Sequence, residues 1–498
     1  MKEKDKFRIV VNIIQAILII ISTILIFIFR ENNITVCYIA VLLIFLSNIL
    51  FWIKDMKKRI LFFLFNGSFF IFLMGREAIN LLQYGKIVYD FEIEIQFHIL
   101  LCLYLSLLAL QLGYMICEKY IKDRNSSKNS TIMLFKKNMN REQFKEILKK
   151  YAKIVFIVGW ILNLFVSLEQ IIYVANYSYL EFVKAFTSKI PYIIRICANF
   201  RTIAFFIFLA TMPNKKEVKP IIGMYIIEAV ISLLFGNRGN CIIDILIVIF
   251  YIVFRQWKAK EEKWITKKQV IVMVIMIPFV FAFLSAMVYL REGTNVGEIN
   301  LSGQITRFFK SIGNSINVLG YEKKYETELN EIGNLYTLGD LKQYILYNPI
   351  TEKLFNAKHA PYHTKEYALS GQSFMHTISY LINNENYIDG HGNGSVYIAE
   401  LHIDFGYIGV IIGNILLGAY MAMFYKIYEK SYIITGSLLL SYRIMFFIPR
   451  APIDYIITYV FNITAIVSVI IILLLTLGEI YIKNRRKLMK NEWTNTTK

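Results

Sequence analysis

Cysteine is scarce in this chain. Its five residues, Cys37, Cys102, Cys117, Cys197 and Cys241, all sit in or beside apolar runs, and none falls in the long polar stretch from 291 to 395. This placement suggests neither a disulfide framework nor a zinc site. No small-residue cleavage site follows the first apolar run, so that run is expected to stay as a membrane span rather than leave as a signal peptide. No internal repeat is visible, which speaks mildly against a transporter built from inverted halves. A separate soluble catalytic module is also lacking.

What the chain has is apolar length. Its 498 residues are 56% hydrophobic, with a mean hydropathy of +0.49, which excludes an ordinary soluble protein. Crossing ~30 Å of hydrocarbon takes about 20 apolar residues. Spans are expected near 9–29, 34–53, 60–80, 97–117, 153–175, 191–212, 219–235, 241–255, 270–290, 396–425, 432–449 and 455–481. The sequence thus predicts an all-α integral membrane protein of about twelve helices, one polytopic domain over residues 1–498. The seventh and eighth spans are short enough to form a single helical hairpin.

The net charge of +19 would suit nucleic acid, but its distribution has another explanation. Most Lys and Arg fall in alternate loops, among them MKEKDKFR, IKDMKKR, residues 119–153, RQWKAKEEKWITKK and the C-terminal IKNRRKLMKNEWTNTTK. Such a bias sets membrane orientation. It places both termini in the cytoplasm and removes nucleic acid as a partner. Within 119–153, RNSSKNST is expected to be a solvated loop, and EQFKEILKKYAK a helix on the membrane surface. On the opposite side the loop 291–395 is too long to be a mere connection. It is expected to carry short surface helices over the bundle, and its many Tyr and Phe offer faces for ligand rings.

Ionisable groups gather at this exterior side. The stretch GHGNGSVYIAELHIDFGYIGV (Gly390–Val410) leads from a glycine-rich turn into a span. Gly392 and Gly394 allow close backbone approach to a ligand, and Ser395 is expected to cap the helix. Glu400 and Asp404, four apart, share a face just inside the membrane, where acids are usually functional. Arginines are expected at the same level. Arg238 lies in the turn GNRG, Arg291 at the end of the ninth span and Arg450 in FFIPRAPIDYII, while Arg443, Arg195 and Arg201 lie deeper and Arg76 adjoins Glu77. Several guanidinium groups at one depth fit a polyanion site, since they bind phosphate bidentately. Metal is not expected: His359 and His363 in HAPYH have no third ligand, and His376 reads as an interfacial side chain.

GNRG after a span, a large exterior loop, the block GNGSVYIAELHIDFGYIG (Gly392–Gly409) and an arginine before the last span together resemble the O-antigen or capsular polysaccharide polymerases of the Wzy type. The resemblance covers about residues 150–480, and the glycine block is its most specific part. That block is also similar to the wider ligase and polymerase superfamily, where a His–Asn-type motif precedes a Glu and a GxxG; here His391 and Asn393 occupy that region. The resemblance implies a glycosyltransferase of the bacterial cytoplasmic membrane, with its active site facing outward. It would join oligosaccharide units carried on undecaprenyl pyrophosphate, transferring the growing glycan to the next lipid-linked unit, with a chain-length regulator as a possible partner. In that reaction Arg238, Arg291, Arg450 and Arg443, with the Gly392, Gly394 and Ser395 amides, would hold the pyrophosphate. Glu400, then Asp404, then His391 would be the acceptor's base. No cofactor or metal ion is expected. The competing readings are a ligase-like transferase, a lipid-linked oligosaccharide flippase, and a single-sugar transferase using a polyprenyl-phosphate donor. That last class often shows an acidic pair in its first exterior loop, where this chain has only RENN; DFEIE (Asp90–Glu94) in the second keeps it open.

Overall fold

The computed structural model describes residues 3–30, 32–124, 141–177, 181–182, 185–258, 263–292, 301–333, 335–356, 360–428 and 430–496. Among them every regular element is helical. Twelve long helices follow the apolar runs: α1 (Glu3–Ile28), α2 (Ile34–Ile53), α3 (Ile60–Tyr84), α4 (Ile93–Arg124), α5 (Arg141–Tyr177), α6 (Tyr192–Ala210), α7 (Lys215–Leu234), α8 (Arg238–Lys258), α9 (Lys267–Glu292), α10 (Tyr397–Ile427), α11 (Tyr432–Met445) and α12 (Ile463–Thr496). Ten stretches are long and apolar enough to cross a membrane; α7 and α9, where the sequence predicts spans, are not among them. The chain is a multi-pass membrane protein in its helix content.

Local chemistry sets several boundaries. Asn214 caps α7 through a reciprocal pair with Glu217, satisfying two backbone N–H groups that the first turn leaves open. EQFKEILKKYAK does not stand apart as a surface helix. It forms the first turns of the 37-residue α5, and Lys149 anchors it to Glu217 at 3.3 Å. The segment RNSSKNST lies outside the described residues. In α3 a π-helical turn at Phe70–Met74 interrupts the α-helix, a device common near functional sites.

The centre of the bundle is the crossing of α4 and α10. A Cβ on Gly113 would lie 2.0 Å from the Ile415 carbonyl oxygen, and one on Gly418 would lie 2.1 Å from that of Leu110. Only glycine permits this approach, and without water to drive association such backbone contact holds membrane helices together. Asn414 reinforces it, donating to Ser106 Oγ at 3.1 Å and accepting from Tyr397 at 2.7 Å. Helix α10 is broken at Gly406 (φ 62°, ψ −162°), a conformation nearly confined to glycine.

Short helices between α9 and α10 rest on the ends of this bundle. Leu301–Ile312 leads to Asn314, which accepts from Arg76 at 2.6 Å. Asn317–Lys324 packs Gly320 against Phe91. Tyr336–Leu338 and Gly339–Leu346 are tied to α10 and to the turn after α11, as described next.

Candidate functional site

The turn between α7 and α8 is three residues, Phe235–Asn237, made possible by Gly236 at φ 86°. It delivers Arg238 as the first residue of α8. Opposite, α11 ends in a 3-10 turn, Ile448–Arg450. Arg238 and Arg450 line one cavity of about 440 Å³, with Phe72, Phe182 and Phe447. A second cavity of about 600 Å³ shares Gln170, Phe235 and Asn237 with the first, so the two adjoin. Arg195, Arg201 and Arg443 line it, with Glu228 and Asp244 and the amides Asn163, Asn199 and Asn240. Among the described lining residues, five arginines thus face two carboxylates across the pair. That balance favours an anion, because low-dielectric walls focus the field of lining charges.

The arginines are not equivalent. Arg443 is paired within the wall: Nη2 donates to Asp244 Oδ2 at 3.1 Å, while Nε and the Tyr225 hydroxyl both donate to Asp244 Oδ1. Arg201 Nε donates to Glu228 Oε1 at 2.7 Å. Glu228 Oε2 is buried and has no hydrogen-bond partner among the described residues, and the same holds for Arg195 Nε. Both groups line the larger cavity.

The glycine-rich turn meets this site from behind. Gly390 and Gly394 have positive φ, 85° and 77°, and a Cβ on Gly394 would sit 3.9 Å from the Arg450 carbonyl oxygen. Ser395 does not cap α10; Val396 occupies that position, and Ser395 Oγ donates instead to Glu400 Oε1 at 2.5 Å. The other Glu400 oxygen accepts from Ile453 N at 2.9 Å. Buried Glu400 therefore clamps the glycine turn to the segment that carries Arg450. Asp404 turns elsewhere. It accepts from Tyr336 N (3.0 Å), Thr337 N (2.8 Å) and Thr337 Oγ1 (2.8 Å), fixing the loop to α10.

Beside this clamp, Asp454 Oδ2 accepts from Leu341 N at 2.7 Å, while Oδ1 is buried without a hydrogen-bond partner among the described residues. Burial, then the charge of Asp340, pushes the Asp454 carboxyl up to about 7. Burial likewise pushes Asp340 up to about 6. One further cluster lies under the loop. Glu322 bridges His98 and His402, with Oε2 at 3.1 Å from His98 Nε2 and Oε1 at 2.9 Å from His402 Nδ1. These three are the residues whose geometry could hold a metal ion, among those described.

A family model described as O-antigen polysaccharide polymerase Wzy matches residues 10–483. The chain belongs to that family. No curated protein and no solved structure matches it.

In this Wzy family member the residues singled out in the sequence divide into two groups. Arg238, Arg450 and Arg443 come together around the adjoining cavities. Glu400, Asp404, His391, Gly392, Gly394 and Ser395 line neither. The Asn393 amide that follows Gly392 is taken by Ser379 Oγ at 3.0 Å, and the His391 side chain is exposed. Arg291 belongs to α9, and His359 lies outside the described residues. Sequence reading passed over Glu228, an acid on α7. Its position within an apolar run was the available signal.

Proposed function

We propose that this Wzy family member polymerises undecaprenyl-pyrophosphate-linked oligosaccharide units on the outer face of the bacterial cytoplasmic membrane. The growing glycan passes from its lipid carrier to the next lipid-linked unit. The observation that carries this reading is the excess of arginine over carboxylate among the described residues lining two adjoining cavities. When the glycosyl–oxygen bond breaks, the pyrophosphate gains charge, and fixed cations in a dry site stabilise that change without reorganising. Arg238 and Arg450 are assigned to the leaving pyrophosphate, with Arg195 deeper in the same system. Arg443 is assigned a positioning role, because Asp244 already balances it.

The acceptor hydroxyl must lose its proton, and a positioned base contributes ~10²–10⁴-fold. The sequence favours Glu400, then Asp404 and His391. Contacts favour Glu228, which lines the cavity with one oxygen held by Arg201 and the other without a hydrogen-bond partner among the described residues. Glu400 and Asp404 then act as positioning residues, the first for the Arg450 turn and the second for the loop. No step in this scheme needs a metal ion or cofactor.

The test uses purified protein in liposomes with lipid-linked repeat units, read as a glycan ladder. Arg238→Ala, Arg450→Ala and Glu228→Gln should each abolish the ladder while the protein stays monodisperse. Glu400→Gln, which preserves an acceptor for Ile453 N, should retain a readable ladder, whereas Glu400→Ala should not. A ladder that survives Arg238→Ala and Arg450→Ala together would remove the site. Loss in Glu400→Gln equal to that in Glu400→Ala, with Glu228→Gln active, would return the base to Glu400.

A further inference from the structure

We propose that His98, Glu322 and His402 form a transition-metal site, with zinc the ion whose ligand preferences fit best. The site is separate from the sugar-transfer chemistry and ties the exterior loop to the α4–α10 crossing. Each ligand comes from a different segment: His98 from α4, Glu322 from the helix Asn317–Lys324 and His402 from α10.

The geometry is that of three converging buried ligands. The three ligand atoms all lie within 4.8 Å of one another, and Glu322 oxygens sit 3.1 and 2.9 Å from the two imidazole nitrogens. Zinc bonds of ~2.0–2.1 Å in a tetrahedron give ligand–ligand edges of about 3.3 Å; because the two short contacts use different Glu322 oxygens, the carboxylate must rotate to present one oxygen to the ion or bind it through both. His98, Glu322 and His402 are 2%, 0% and 5% exposed, as a structural site requires. A fourth donor is near. Cys102 follows His98 by one helical turn, and its Sγ is 3.7 Å from His98 Nε2, against about 3.5 Å for an edge between zinc-bound nitrogen and sulfur; it lies outside the group of three mutually close ligands, so it joins the ion by a side-chain shift.

Two further observations support the assignment. Tyr407 OH lies 2.9 Å from His98 Nδ1, the outer-shell contact that commonly orients a metal-bound imidazole. Charge also balances. Glu322 is fully buried, and its ion-pair partners among the described residues are the two histidines alone. With neutral imidazoles its carboxylate is an uncompensated buried charge, which is costly. A dication bound to Glu322 and a Cys102 thiolate is neutral overall, the thiol proton leaving to solvent on binding. None of these residues lines the arginine cavities, so the ion would hold structure and touch no substrate.

The experiment uses the full-length, tag-free protein in detergent, first for metal content by mass spectrometry and then, after metal removal, for titration with Co²⁺ as an optical probe. Expected are one zinc per chain as purified and intense visible bands of tetrahedral Co²⁺ that saturate at one ion per chain. Those bands should be lost in His402→Ala and His98→Ala, and Cys102→Ala should remove the sulfur-to-cobalt charge-transfer band. Absence of saturable tetrahedral Co²⁺ in the wild type would overturn the proposal, whatever the variants do. So would an unchanged spectrum in a monodisperse His402→Ala. Neither readout depends on polymerising activity, so failure here leaves the arginine site standing.

Discussion

Asp404 was legible in the sequence as an intramembrane acid suited to catalysis, and its contacts make a different and measurable demand. Its carboxylate accepts three hydrogen bonds, all from Tyr336 and Thr337. Hydrogen bonds to a charged group contribute about 1.5–3 kcal/mol each, and they are not additive when they share one acceptor. Removing the carboxylate also leaves two backbone N–H groups without their acceptor. Taking roughly 3 kcal/mol for the whole clamp, Asp404→Ala should raise the local opening of this segment about 100-fold, since 1.4 kcal/mol is a factor of ten. Asp404→Asn keeps one oxygen and should fall between the two. Hydrogen exchange read by mass spectrometry in nanodiscs would resolve peptides covering 335–341. Faster exchange confined to that segment, with the α4–α10 peptides unchanged, is the expected result. Wild-type protection in Asp404→Ala would refute the anchoring role and return Asp404 to the list of possible bases.

Other perturbations test other parts of the structure. Gly113→Ala places a Cβ 2.0 Å from the Ile415 carbonyl oxygen; a backbone oxygen cannot swing aside, so a loss of at least 1–3 kcal/mol is expected, read as a lower thermal midpoint in detergent. Gly406→Ala meets no neighbour within 4 Å, yet φ 62° and ψ −162° should cost about 1–3 kcal/mol by strain alone, and its midpoint should fall despite the open space. Asp454 should make stability fall with rising pH. Its carboxyl is pushed up from 3.8 to about 7 in the fold, so stability is fully present below pH 3.8 and is lost as pH rises towards 7. The loss between pH 5 and 7 is of order 2–3 kcal/mol before coupling to Asp340 is allowed for. Asp454→Asn, neutral throughout, should flatten that slope; a wild-type slope of the same size in the variant would exclude Asp454 as its source.

The helices were legible because membrane spans are written locally. The run expected at 396–425 appears as Tyr397–Ile427, and that at 432–449 as Tyr432–Met445. The run at 455–481 shows where local reading stops. Its apolar character is continuous, but helix α12 begins only at Ile463, with Asn462 Oδ1 accepting from Ala465 N at 2.7 Å and Tyr344 accepting from Ile463 N. The site was less legible, since what decides each residue's role is a partner far away in sequence. Arg443 looks like a phosphate ligand until Asp244 and Tyr225 are seen beside it. Glu400 looks like a base until Ser395 and Ile453 are found on its two oxygens. Period and composition give the face of a helix, not what meets it.

A single arrangement reconciles the two groups of residues that the sequence placed together and the fold separates. A polyanion site needs cations held still at a defined spacing, and arginines on turns do not hold still unaided. Arg450 sits on a 3-10 turn whose following amide, Ile453 N, is fixed by Glu400, and Glu400 is fixed in turn by Ser395 at the end of the glycine-rich segment. A buried carboxylate one step behind an arginine turn stiffens the backbone that carries the guanidinium. Arg443, in the adjoining wall, is held instead by a direct ion pair with Asp244. On the proposed reading, the glycine-rich turn acts through Glu400 on the segment that carries Arg450, and the test of that role is the split between Glu400→Gln and Glu400→Ala.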